Sequence, residues 1–384
     1  AHYENGIVDL EDTGFRQGTD GSVTARLRYD METRALGGAL DIEKMDVTAL
    51  LALANQREQR ITGTITSEVH LGGTPDNPSI ALTGTLADGT LATYPVNNVK
   101  LDAALADRVL TIRQIAGAQG TGGFSVVGTV DFDGMTNVDI AASDIALGLF
   151  TKFAGVEEPV AGTATLTAHI GGYTQNPEAD VHLMAKDGGM RGNSFDELLG
   201  EARLRNSIID LQQLVVTKYI DGVRYMASAH GTLPLRALTA ARDEKLSAYE
   251  QLDLTVVLDN ADLSLLPVFS KHVEWALGHT EGTLKLHGTL AAPRLDGMVR
   301  VADGALKIKY LENPITDMQL QVDALGDAIV LRTCTGRMGD GTYTMTGRME
   351  LSGTELTKYD VTLVMNALAI KASFFEGPLN GSLH

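Results

Sequence analysis

The segment Gly162-Thr163-Ala164-Thr165-Leu166-Thr167-Ala168-His169-Ile170 decides how this chain folds. Ala164, Leu166, Ala168 and Ile170 alternate with Thr163, Thr165, Thr167 and His169, and a period of two puts all the apolar side chains on one face of a strand. The same rhythm recurs in Tyr343, Met345, Gly347, Met349 and Leu351, in Met318, Leu320, Val322 and Ala324, and in Leu252, Leu254, Val256 and Leu258, with Val257 an exception on the polar side. One greasy face and one wet face indicate antiparallel sheet, because strands of a parallel sheet covered on both sides are apolar throughout. Glycine supplies 41 of 384 residues, against a usual share of about 7%, and it punctuates the short Thr- and Val-bearing runs as turns do. The expected class is all-β. Helices are expected only at about Asp46–Glu58, Ile145–Ala154 and Ser264–Leu277.

Working outward, the phrase repeats. Gly-Thr opens at Gly63-Thr64, Gly162-Thr163 and Gly282-Thr283, and Gly377-Pro378 marks a further start. Each copy then carries a Pro before a strand (Pro78, Pro177, Pro293) and what reads as a turn (Ala87-Asp88-Gly89, Lys186-Asp187-Gly188, Ala302-Asp303-Gly304). Each copy closes on a short apolar segment such as Asp144-Ile145-Ala146-Leu147 or Asp262-Leu263-Ser264-Leu265. The implied organisation is the closing part of a repeat over 1–59, full repeats over 60–158, 159–279 and 280–375, and the start of another over 376–384. The second repeat is lengthened near 236–249 by a loop or small helix. The chain opens at Ala1 in mid-pattern, so a piece of a longer protein is expected.

Charge narrows the function. With 31 Lys+Arg against 49 Asp+Glu the net is −18, so neither nucleic-acid binding nor attraction to an anionic membrane surface is expected, and membrane contact is expected only through parts of the protein not in this chain. Hydrophobic residues at 44% exclude disorder. A single Cys, Cys334, excludes an intrachain disulfide and any Cys-based zinc cluster. The longest apolar runs, such as Ala49–Ala54, are too short to cross a bilayer.

About seven strands per repeat must cover their apolar face somehow. Each repeat could close into a sandwich of immunoglobulin-like size. Alternatively, about 25 strands could form one long curled sheet around an apolar groove, roughly 120 Å along the strand-stacking direction. The second is favoured because no Pro/Ser/Gly-rich linker parts the repeats and Trp275 is the chain's only Trp, too little aromatic bulk for several closed cores. The residues expected to line the groove are Leu166, Ile170, Val181, Leu183, Leu254, Val256, Leu284, Leu286, Leu320, Val322, Met345 and Met349.

The wording Glu281-Gly282-Thr283-Leu284-Lys285-Leu286-His287-Gly288-Thr289-Leu290-Ala291-Ala292-Pro293-Arg294-Leu295-Asp296-Gly297, followed by Ala302-Asp303-Gly304-Ala305-Leu306, resembles the TamB and AsmA-like family of bacterial envelope proteins. The likeness runs, in degraded form, through Gly63–Ile80 and Gly162–Val181 and so covers essentially the whole chain. It implies a curled sheet called a β-taco, located in the periplasm of a diderm bacterium and anchored to the inner membrane by a segment absent here. It implies transport of phospholipid along the groove between inner and outer membrane, with phospholipid acyl chains as the bound partner. The alternative it allows is a scaffold for outer-membrane protein assembly, working with an outer-membrane barrel protein of the TamA/BamA type. A tandem-sandwich adhesin or glycan binder is the remaining alternative, and it comes from repeat size alone.

Catalytic and metal chemistry is not expected, nor any cofactor. His70, His169 and His287 fall a repeat apart on the polar alternation, so they share no site. His272 and His279 flank Glu274 at a spacing of seven, where helical neighbours would need three or four. Gly117–Gly123 precedes a strand, whereas a phosphate-cradling loop needs a helix N-terminus. Asp131-Phe132-Asp133-Gly134 echoes a calcium loop without its remaining ligands. No nucleophile motif is present, and Cys334 is read as a partly buried thiol without a task.

Overall fold

The computed structural model describes all residues except 1, 54–60, 154–158, 191–192, 240–246, 266–271, 353–354 and 373–374. The opening partial repeat contributes β1 (His2–Glu4), β2 (Ile7–Gln17), β3 (Gly21–Asp30), β4 (Leu36–Asp46) and helix α1 (Val47–Leu53). The next repeat holds β5 (Ile61–Thr74), β6 (Asn77–Leu91), β7 (Tyr94–Ala106), β8 (Val109–Gln119), β9 (Gly122–Asp131), β10 (Thr136–Ala146) and α2 (Leu147–Phe153). The third set is β11 (Val160–Tyr173), β12 (Asn176–Met190), β13 (Asn193–Arg205), β14 (Ile208–Ile220), β15 (Val223–Pro234), α3 (Arg236–Thr239) and β16 (Gln251–Asp262), closed by a 3-10 turn at Leu263–Leu265. The last comprises β17 (Val273–Thr289), β18 (Pro293–Ile308), β19 (Ile315–Gly326), β20 (Ala328–Met338), β21 (Gly341–Ser352) and β22 (Glu355–Ala372), with β23 (Phe375–Leu383) after it.

All 23 strands belong to one antiparallel sheet that does not close into a barrel. Each described pairing joins strands consecutive in sequence, from β1 with β2 to β22 with β23, so no strand returns to an earlier one as a sandwich would require. By contact the chain divides into two compact units, one of Ala1–Glu157 with Thr163–His182, the other of Glu158–Gly162 with Leu183–His384. The accessible surface is 22213 Å². Two separate compact proteins of half this mass would expose only about 17,700 Å² together.

The register defines the repeat more sharply than the wording of the sequence. Met45 pairs with Ile65, Ile145 with Ala164, Ala261 with Thr280 and Leu368 with Leu379, each just past a bulge. Two residues before each second partner stand Gly63, Gly162, Gly278 and Gly377, giving steps of 162−63 = 99, 278−162 = 116 and 377−278 = 99. The third copy is thus marked by Gly278, four residues before the Gly282 that the Gly-Thr phrase suggests. The reason is contact: a methyl on Gly63, Gly162 or Gly278 would fall 2.7, 2.8 or 2.7 Å from the Cα of Gly89, Gly188 or Gly304. At the bulges the backbone turns left-handed at Lys44, Asp144, Asn260 and Ala367, with φ of 45 to 51°. The surplus of 116−99 = 17 residues in the second step is consistent with the lengthening read near 236–249, of which α3 is described and 240–246 lie outside the described residues.

Three sequence expectations need correction. The described repeats hold six strands each, not about seven. Asp88, Asp187 and Asp303 do not make turns; they sit inside β6, β12 and β18 with φ near 50°, as bulges that let the strand continue. Of the expected helix over Ser264–Leu277, residues 266–271 lie outside the described residues, the preceding Leu263–Leu265 is a 3-10 turn, and Val273–Leu277 is strand β17, paired with β18. The helices at the first two closing segments do form. The Asp46 carboxylate accepts the Thr48 N–H at 2.7 Å at the start of α1, and Asp262 does the same for Ser264 at 2.7 Å. The amide oxygens of Gln17 and Gln119 accept the backbone N–H of Asp46 and Ala146, at 3.0 and 2.6 Å, in corresponding places.

Candidate functional site

Register turns the alternation of single strands into rows that cross many strands. In the first unit one row runs Leu10, Leu27, Gly38, Leu71, Ile80, Leu105, Leu110, Val130, Thr136. Beside it run Ala25, Leu40, Val69, Leu82, Ala103, Ile112, Gly128, Val138, Ile170, and then Val23, Ile42, Ser67, Gly84, Leu101, Ile115, Val126, Ile140, Ala168. Leu166 stands opposite Ala142, which stands opposite Phe124. No position of these rows carries a charge.

The second unit repeats the arrangement. Its rows are Leu211, Gly231, Leu254, Leu286, Leu295; Leu214, Ala229, Val256, Leu284, Gly297, Ala324, Ile329, Met349, Tyr359; Val216, Ala227, Leu258, Gly282, Val299, Val322, Leu331, Gly347, Val361; and Thr280, Val301, Leu320, Cys334, Met345, Leu363, Leu383. These too are free of charged residues. Eight of the expected lining residues, Leu254, Val256, Leu284, Leu286, Leu320, Val322, Met345 and Met349, meet in these four rows. Leu166 and Ile170 lie in the first unit's rows, and Val181 and Leu183 follow on β12, with Leu183 against Gly200. All twelve are half-buried, and Leu166, Leu320, Val322 and Met345 pack against buried clusters. The sequence list missed the positions that are sealed: Met45 and Ile145 are fully buried, and Val96 and Val301 nearly so. Met45 packs with Leu50 of α1 in one cluster, and Ile145 with Leu149 of α2 in another. For Met45 and Ile145 the signal was the apolar segment that closes each repeat; Val96 and Val301, inside β7 and β18, had none.

The opposite face is ionic. Arg26 donates to Asp41 at 2.8 Å, Arg113 to Asp102 at 2.8 Å and Arg332 to Asp323 at 2.6 Å, while at the strand ends Arg108 of the β7–β8 turn donates to Asp133 of the β9–β10 turn. The Arg108 and Arg332 guanidinium groups hold the carboxyls of Asp133 and Asp323 below their usual value, chiefly through these hydrogen bonds. His70 lies 3.0 Å from Glu68, His169 2.8 Å from Asp139 and His287 2.5 Å from Asp296, each separately on the polar face. His279 bonds Glu281 at 2.9 Å while the His272 ring sits 6.0 Å from that of Tyr310, so the His272/Glu274/His279 set is not assembled. Among the described residues no three His, Cys, Asp or Glu gather in a metal-holding group. Gly120 turns the tight β8–β9 connection, and Asp131 serves its own loop by accepting the Asp133 N–H at 2.9 Å.

Cys334 is buried rather than partly buried, and its thiol donates to the Tyr343 hydroxyl at 3.8 Å within a cluster of Leu331, Met338, Met365 and Leu368. Burial pushes both the thiol and the phenol above their ordinary values. Native protein at neutral pH is therefore expected to react with an aromatic disulfide reagent at least about tenfold more slowly than the urea-unfolded chain; equal rates would contradict the burial.

No helix among the described residues is long and apolar enough to cross a membrane. Comparison with known proteins finds no matching family model, no matching curated protein and no matching solved structure.

Proposed function

We propose that this chain is a non-enzymatic carrier surface for phospholipid acyl chains, a segment of a periplasmic bridge along which lipids pass between inner and outer membrane. The observation that supports the reading is the set of uncharged rows: within each unit, side chains from up to nine successive strands line up without one ion. An acyl chain lying across the strands meets only hydrocarbon, thioether, glycine and an occasional hydroxyl or thiol. Moving it there from water gains about 0.8 kcal/mol per methylene, or ~13 kcal/mol for a sixteen-carbon chain before ordering costs. A charge in the path would leave an unpaired ion beside hydrocarbon, so the absence of charge is what such a path requires. The envelope location and an outer-membrane barrel partner rest on the family resemblance alone.

The test is direct. Purified protein is extracted with organic solvent and assayed for phospholipid, and a photo-crosslinking residue is placed at Leu183 or, on the polar alternation, at His182. Phospholipid in the extract and capture at 183 but not at 182 are expected. Equal capture at both positions would remove the carrier reading, and capture of barrel proteins with no lipid would favour the assembly scaffold.

A further inference from the structure

The last repeat closes differently from the first full one. In the first full repeat β6 and β7 join through two residues, Ala92 and Thr93, and Ala92 is buried with Ala142, Ile145 and Leu149 of α2. In the last repeat β22 runs on past Leu368, the counterpart of Ile145, and pairs with β23 as far as Ala372, where the first full repeat has its helix. The connection that corresponds to Ala92-Thr93 is six residues long here, Lys309–Pro314 between β18 and β19.

This strap lies against the apolar face. Leu311 packs on the buried cluster that holds Leu331, Cys334, Met338 and Leu368, as does Ile315 just after the strap. The Asn313 side-chain amide donates to the Ala369 carbonyl of β22 at 2.8 Å, and the Lys307 ammonium donates to the Glu312 carbonyl. Pro314 biases Asn313 toward extended backbone, while Lys309, Tyr310 and Glu312 are exposed. Leu331 and Cys334 belong to two of the uncharged rows. Val322 and Met345 beside them are half-buried, whereas Leu331 and Cys334 are only 8% and 5% exposed, so the rows are closed where the strap's cluster lies.

We propose that Lys309–Pro314 is a gate on the apolar face: latched, it keeps lipid from the Cys334 row, and lifted, it admits an acyl chain there. This rests on the carrier reading of the same face. Leu311 offers the cluster hydrocarbon and nothing else, so methylenes lying along the row replace its contacts in kind. The amide–carbonyl latch has a small net worth, because water satisfies both groups once the strap lifts.

Cys334 is the only cysteine of the chain, so maleimide labelling reports on the cluster against which the strap packs. Asn313→Asp keeps the size of the side chain but sets a carboxylate against the Ala369 carbonyl. In the full chain it should speed native labelling of Cys334 about tenfold without changing hydrogen exchange of β20 and β21 peptides. With vesicles of phosphatidylethanolamine as the probe, capture by a photo-crosslinking residue at Met345 should rise by a similar factor, since both readouts follow the open fraction. Capture at Leu183 should stay as in the wild type. An unchanged labelling rate overturns the gate, and so does faster labelling accompanied by faster exchange in β20 and β21, which would make the strap part of the core. Faster labelling with equal capture at Met345 in both proteins also overturns it when Leu183 still captures lipid. If Leu183 captures none in the wild type, the carrier reading itself falls, and the gate with it.

Discussion

Leu286→Asp is expected to reduce co-purifying phospholipid to under about a tenth of the wild-type amount while the sheet remains folded. Leu286 stands between Leu254 and Leu295 in an uncharged row, so its carboxylate has no cation to meet on that face. The ion stays hydrated only by keeping acyl chains away from the row. Its apolar surroundings raise the new carboxyl's pKa, so acidification neutralises it and should restore part of the binding. The matched control is Thr283→Asp, three residues away on the polar face and already exposed, which should leave bound lipid unchanged. Quantifying lipid phosphorus per protein for both variants at neutral and mildly acid pH decides the matter. Equal loss from both, or from neither, would remove the carrier reading.

Gly231→Ala is expected to destabilise the sheet around β15 and β16 by about 3 kcal/mol. Gly231 holds a φ of 134°, and a methyl group there would overlap the backbone carbonyl of Asp253 and approach the Leu254 Cα at 2.9 Å. Backbone on a paired strand cannot step aside as a side-chain tip can. Gly222→Ala provides the comparison. It shares the positive φ, at 79°, but faces open space, so only conformational strain of about 1 kcal/mol is expected. Because the chain has two compact units, a single global transition is a poor measure; hydrogen exchange of peptides from β15 and β16 in rising urea reads the local effect. Similar costs for both substitutions would mean that close strand approach at Gly231 is not what holds this part of the sheet.

The alternation in Thr163–Ile170 and its counterparts carries the strand faces, because side-chain period follows from covalent geometry and needs no partner. The first two helices were legible for a similar reason, as short apolar segments after a strand. Register was not. The Gly-Thr wording pointed to Gly282, yet pairing places Gly278 with Gly63 and Gly162, since what recurs is close contact with Gly89, Gly188 and Gly304 rather than the dipeptide. Asp88, Asp187 and Asp303 misled in the same way: a left-handed Asp before Gly serves a bulge as well as a turn, and only the partner strand distinguishes them. The twelve residues expected to line a groove were read from alternation within single strands, and nothing local shows that eight of them stand in adjoining rows.

What the sequence determined by itself is therefore the all-β class, the repeat and the separation of an apolar from a polar face, each set by residue order within one strand. What only the tertiary structure decided is which residues stand side by side across strands. That choice depends on where bulges insert a residue, and each such insertion moves every later partner by one position. The uncharged rows, the sealed positions beside the short helices and the Lys309–Pro314 strap against the apolar face all exist at that level.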